Sequence, residues 1–155
     1  MAFLRAGDTI SGQEGKATMT MPDGTVQDLF YIKTAEATFE KNKAEVKTLG
    51  KRGTQHKTNG WSGSGSMTIY YITSLFRQMA YRYAKEGIDT YFTITITNED
   101  PSSTIGRQTV SLFNCNVDST ILAKLDVDSD SLEEDLDFTF DDFAILDQFG
   151  APILG

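Results

Sequence analysis

Between Tyr91 and Thr97 the chain alternates without a break, with Phe92, Ile94 and Ile96 on one side and Thr93, Thr95 and Thr97 on the other. A period of two puts successive side chains on opposite faces of an extended backbone, so this segment is a half-buried strand and not an amphipathic helix. The same period recurs along the chain. Ala17–Met21 alternates Thr with apolar residues and runs into Pro22-Asp23-Gly24, a hairpin turn whose glycine is free to take positive φ. In Val26–Glu40, Tyr31, Ala35, Ala37 and Phe39 share one face, opposite Thr34, Glu36, Thr38 and Glu40. Leu136–Phe143 sets Leu136, Phe138 and Phe140 against Asp137, Thr139 and Asp141, and Arg107–Asn114 and Asn116–Leu125 also read as strands.

One segment breaks the pattern. Leu75, Phe76, Met79, Ala80 and Tyr83 form a helical stripe, with Ser74 placed to cap its start, Lys85 to suit its C-terminal dipole and Gly87 to end it. The expected fold is therefore mainly β, an antiparallel β-sandwich or partly closed barrel of about eight strands with one peripheral α-helix. A length of 155 residues suits one domain with one core, spanning 1–155. Asn42-Lys43 is expected to reverse the chain into a strand over Ala44–Leu49. Gly50–Gly60, which lacks apolar residues, is expected to be an exposed loop, and Trp61–Thr73, with its Gly/Ser alternation, one long strand.

The net charge of −8 disfavours ordinary binding to nucleic acid or anionic lipid. That charge is unevenly spread. Lys41, Lys43, Lys47, Lys51, Arg52 and Lys57 stand against the single acid Glu45, giving +5 from 41 to 57, whereas residues 126–142 carry nine acids and no base. Two readings stay open at this point: a pair of solvated faces, or a self-complementary pair in which the basic segment of one molecule meets the acidic segment of another.

Little chemistry is on offer. Cys115 is the only cysteine and His56 the only histidine, too few for a zinc site or an internal disulfide. Asp126, Asp128 and Asp130 match the first ligand positions of a calcium loop, but Ser131 and Asp137 stand where glycine and a bidentate glutamate are required. Gly60, Gly63 and Gly65 lack the lysine of a phosphate loop, and no nucleophile elbow occurs. We expect no catalytic residues, no metal and no cofactor. The first residues show no signal peptide, so synthesis in the cytoplasm is expected.

Several segments occur together in a telling order. Thr9-Ile10-Ser11-Gly12-Gln13-Glu14-Gly15 is followed by Ile32-Lys33-Thr34, Glu40-Lys41-Asn42-Lys43, Leu49-Gly50-Lys51-Arg52 and His56-Lys57-Thr58. Thr90-Tyr91-Phe92-Thr93, Leu125-Asp126-Val127-Asp128-Ser129, Leu132-Glu133-Glu134 and Phe138-Thr139-Phe140-Asp141-Asp142-Phe143 come later. This series, from about Thr9 to Phe143, resembles the tail tube proteins of PBSX-type defective prophages, contractile phage tails and tail-like bacteriocins.

The resemblance implies a structural protein: six copies form a ring, and rings stack into a hollow tube inside a contractile sheath. It implies sheath, tape-measure and baseplate or initiator proteins as partners, DNA only as a non-specific passenger through the lumen, no membrane binding by the free subunit, and a place in a virion tail or tail-like particle. Under it, Lys41, Lys43, Lys47, Lys51, Arg52, His56 and Lys57 are expected at the contact with the adjacent ring. Asp126, Asp128, Asp130, Glu133, Glu134 and Asp135 are their expected acidic counterpart, and Glu36, Thr38, Thr93, Thr95 and Thr97 the expected lumen-facing residues. Two other readings remain: a secreted tube of another contractile injection machine of the type VI kind, and a monomeric β-sandwich binding module using an aromatic platform such as Trp61, Tyr70 and Tyr81.

Overall fold

The computed structural model describes residues 2–155. Its elements in chain order are β1 (Gly15–Thr20), β2 (Val26–Asp28), β3 (Ile32–Val46), β4 (Gln55–Tyr70), α1 (Leu75–Glu86), β5 (Phe92–Glu99), β6 (Arg107–Ser119), β7 (Glu133–Phe140) and β8 (Asp142–Asp147). The eight strands form one antiparallel sheet in the order β2-β1-β5-β6-β7-β4-β3, with β8 paired to β6 off this path. The sheet does not close into a barrel.

Strand β6 is the fold line. Its first half lies between β5 and β8, and its second half pairs with β7. The change of partner falls at Asn114, which takes φ 54° and donates its side-chain amide to Asp141 at 2.9 Å, where the chain passes from β7 to β8. Asn tolerates the left-handed region better than most residues, and an irregularity here bends the strand so that its two halves serve different parts of the sheet. The inner faces meet in one core: Met19, Ile94 and Leu112 from one half, Met67, Ile69, Leu136, Phe138 and Phe140 from the other, and Phe76 from the helix.

The Gly/Ser stretch of β4 is explained by this core. Gly63 lies opposite Phe140 and Gly65 opposite Phe138. A Cβ on Gly65 would overlap the edge of the Phe138 ring and lie 2.8 Å from the Glu36 carbonyl oxygen, so these positions leave room for the two rings.

Three expectations are corrected. The chain does not reverse at Asn42-Lys43: β3 runs on to Val46, with only a register shift between Lys41 and Lys43. It turns instead after Val46, where Gly50 supplies φ +81°. Residues 55–60, expected in an open loop, are strand paired with β3, so β4 starts six residues before Trp61 and ends at Tyr70. A polar segment with no apolar residue can still be strand when its hydrogen bonds go to a partner strand instead of its side chains going to a core. Helix α1 ends at Gly87 as read, at φ +71°, but Ser74 makes no side-chain cap; Thr73 Oγ1 accepts from the Leu75 N–H at 3.3 Å. Only Phe76 of the helical stripe is buried, and Tyr83 is exposed.

Candidate assembly surfaces

Every residue from Lys33 to Gly60 is exposed. This follows from topology: β3 is an edge strand, and beyond Trp61 the β3–β4 pair leaves the sheet as a two-stranded arm with no third strand beside it. Lys41, Lys43, His56 and Lys57 lie on the paired strands of this arm, with His56 opposite Glu45, and Lys47, Lys51 and Arg52 lie at its tip. All seven sequence-predicted basic-segment residues are thus on one exposed hairpin. At its base Trp61 stacks on Phe39, ring centroids 5.0 Å apart, and meets Phe143 edge-on at 5.6 Å. Phe39 remains 46% exposed, so this aromatic cluster is only half covered. Trp61 is therefore part of the arm's root; Tyr70 and Tyr81 lie elsewhere on the surface.

The acids divide into two groups. Asp126, Asp128 and Asp130 are in an exposed turn where Asp126 Oδ1 accepts from the Asp128 N–H at 3.1 Å. Glu133, Glu134 and Asp135 belong to β7. Glu133 is paired with Lys33 at 2.8 Å, and Asp135 accepts from the Thr68 hydroxyl at 2.6 Å. Glu134 is a correction: it is 1% exposed and has no surface to offer a partner molecule. Its place in the alternation with Leu136, Phe138 and Phe140 turns it into the core, where Arg77 of α1 neutralises it at 2.5 Å. Arg77 also donates to the carbonyls of Ile121 and Thr73 and lies over the Tyr71 ring.

Pairing register puts the two charged features at opposite ends. Along β4, Gln55 is at the hairpin tip, and Tyr70, the last of the strand's 16 residues, pairs with Glu133 at the start of β7. The acidic turn leads directly into Glu133. A strand of that length spans about 50 Å.

The lumen-facing set also divides. Glu36 and Thr38 share the outer face of β3–β4–β7, where register aligns Glu36, Ser66 and Asp137 in one row and Thr38, Ser64 and Thr139 in the next. Glu36, Thr38, Ser64, Ser66 and Asp137 from these rows, with Asp118, border a shallow depression of about 410 Å³. Thr93, Thr95 and Thr97 face outward from the other half of the sheet, on the opposite side of the shared core. Thr95 hydrogen-bonds Ser111 at 2.9 Å and Thr97 hydrogen-bonds Thr109 at 3.3 Å, a hydroxyl ladder between β5 and β6. The structure does not bring the five residues onto one surface, because both outer faces are polar and the sequence period cannot tell them apart.

Two further features bear on assembly. The edge of β6 is free beyond Cys115, which pairs with the first residue of β5, and beside it lies a groove of about 580 Å³ whose walls include Phe76, Met79 and Tyr83 of α1 and Val117 and Leu122. The N-terminal segment is strapped to the 100–105 loop: Asp8 accepts from the amide and hydroxyl of Thr104, both at 2.7 Å, and Asp100 accepts from the Ser11 amide at 3.0 Å. These hydrogen bonds hold both carboxyls below their ordinary value of 3.8, Asp8 chiefly through Thr104 and Asp100 chiefly through Ser102. The Cys115 thiol is fully buried, and desolvation pushes it up to about 12.

Comparison with known proteins decides the family. The phage tail tube protein profile matches residues 2–147. This chain belongs to that family. Tail tube proteins are structural components of virion tails or tail-like particles. Among relatives, this one is 46% identical over 142 residues to the phage-like element PBSX protein XkdM of Bacillus subtilis (strain 168), covering 92% of this chain and 93% of that protein. The fold is shared with a chain of the sheath/tube terminator of an extracellular contractile injection system in its extended state, at TM-score 0.68 and 12% identity over 90% of this chain and 97% of that one. It is shared too with the SPP1 tail tube, at TM-score 0.63 and 14% identity over 88% and 78% of the two chains. At these identities the likeness to the solved structures is one of fold.

Proposed function

We propose that this tail tube protein closes into rings of six that stack head-to-tail into a hollow tube, with the basic arm of one ring meeting the acidic turn of the next. The carrying observation is polarity: +5 on an arm at one end of β4 and a turn bearing Asp126, Asp128 and Asp130 at the other. Opposite charges at opposite ends of one chain repel a copy turned end for end and attract one placed in series in the same orientation.

Within a ring, the free edge of β3 pairs with the free edge of β6 in the neighbour. The apolar side of β3, with Ala35, Ala37 and Phe39, then covers the groove between α1 and Val117. This gives both edges a partner and removes an aggregation hazard. The face bearing Glu36, Thr38, Ser64, Ser66 and Asp137 becomes the lumen wall, hydrophilic enough to be wetted and acidic enough to let DNA pass without adhering. Thr93, Thr95 and Thr97 lie on the outside, towards a sheath. Tape-measure and baseplate or initiator proteins are the remaining partners.

Electron microscopy of the purified chain across a concentration series, repeated with baseplate components added, tests this. Six-fold rings and tubes are expected. A monomer at every concentration, with and without those components, overturns it.

A further inference from the structure

Of the large apolar side chains among the described residues, Leu49, Leu125 and Val127 stand furthest into solvent, at 103%, 97% and 98% of full exposure. Scattered exposed apolar residues are ordinary. These three are not scattered. Leu49 lies at the tip of the basic arm, between Lys47 and Lys51, and Leu125 and Val127 flank Asp126 in the acidic turn. Each end of the molecule thus carries an apolar centre amid charge predominantly of one sign, and the signs are opposite; Lys124, beside Leu125, is engaged with the Glu133 carbonyl at 2.7 Å. Among the described residues no contact brings the two ends together, because the length of β4 separates them.

Charge at the rim of a contact directs approach and excludes wrong registers, while residence time comes from apolar groups that lose water at the centre. We propose that Leu49 of one copy seats against Leu125 and Val127 of a second copy of this chain, with Lys47, Lys51 and Arg52 around the first and Asp126, Asp128 and Asp130 around the second. This rests on the head-to-tail reading above and adds to it: the contact is held by an apolar pin and aligned by charge. Salt screening weakens the alignment and leaves the pin, so stacks once formed persist in about 1 M salt, where the Debye length is about 3 Å.

Mixed cysteine cross-linking of the full-length protein tests the pin. Leu49→Cys and Val127→Cys are prepared separately, mixed under mild oxidation and compared with each variant alone; buried Cys115 does not compete. The mixture is expected to give a cross-linked pair at least about tenfold above either variant alone, the scale expected for a seated contact. Leu49→Ser is expected to raise the concentration needed for stacking by about tenfold or more. A Lys51→Glu/Arg52→Glu variant separates the two ideas. If that variant loses stacking while the mixed cross-link is no more abundant than the self cross-links, the pin is overturned and the charge contact stands. If neither change has an effect, both readings fall.

Discussion

Arg77 and Glu134 form an ion pair at 2.5 Å between helix α1 and strand β7, and only one carboxylate oxygen is satisfied: Glu134 Oε1 is buried without a partner. Removing the guanidinium would leave a charge in the core with nothing to compensate it. Arg77→Met is therefore expected to cost about 3 kcal/mol or more in denaturant unfolding, and Arg77→Met/Glu134→Leu to recover most of that loss. A single variant as stable as the double would show that the pair contributes nothing.

Gly65 is required by Phe138. Gly65→Ala is expected to destabilise the fold by about 2 kcal/mol, because the ring must leave its rotamer. Combined with Phe138→Leu, the loss should fall short of the sum of the single losses by about 1 kcal/mol, since the two sites share one space. Additive unfolding free energies would place the ring elsewhere.

The straps through Asp8 and Asp100 carry a sign for pH. Both carboxyls are lowered in the folded state by the hydrogen bonds they accept, so the stabilisation is complete above 3.8 and is lost as pH falls through the lower folded values. Amide exchange at Ser11 and Thr104 is expected to lose protection as pH falls below 3.8 while the β4–β7 amides keep theirs. Asp8→Asn should flatten the profile at Thr104. Uniform loss of protection across the sheet would mean that acid acts on the whole fold instead.

Cys115 should be inert. With the thiol buried and pushed up to about 12, an aromatic disulfide reagent at about pH 8 is expected to label none of the folded protein and one thiol per chain once it is unfolded. Labelling of the folded chain within the mixing time would contradict the burial of β6 at this point.

Lys51→Glu/Arg52→Glu changes the arm without touching the core. Thermal unfolding of the unassembled chain should stay within about 0.5 kcal/mol of the parent, as for surface positions generally. Tube formation should fail, leaving separate rings by electron microscopy, and tubes of unchanged length would remove the arm from the stacking contact.

Much of this architecture was legible in the residues because strand periodicity is a local signal. β5, the β1–β2 turn and the end of α1 follow from alternation and from glycine alone. The arm was legible only in part: Ala44 and Val46 alternate with charged residues and read as strand, but 50–60 has no apolar residue to alternate, and the pairing that makes 55–60 strand is supplied by β3. Glu134 was legible and was misread. Its two-residue spacing from Leu136 assigns it to the core, but a run of acids invites treatment as one surface. Leu125 and Val127, on either side of Asp126, carried a signal that a charge count passes over. The two lumen sets were inseparable in sequence because both halves of the sheet put hydroxyls outside, and which half surrounds a space is a property of the assembly.

A molecule whose two ends differ, joined end to end, is never finished by its own geometry. Each copy added to a head-to-tail stack presents the same vacant arm or the same vacant turn as the copy before it, so no number of rings is favoured over one more. Stacked as proposed, the subunit specifies a direction and a cross-section but no length. In a particle built that way to a defined size, length would have to be measured by another component, and each end would need a cap of its own: one that accepts a basic arm and one that accepts an acidic turn.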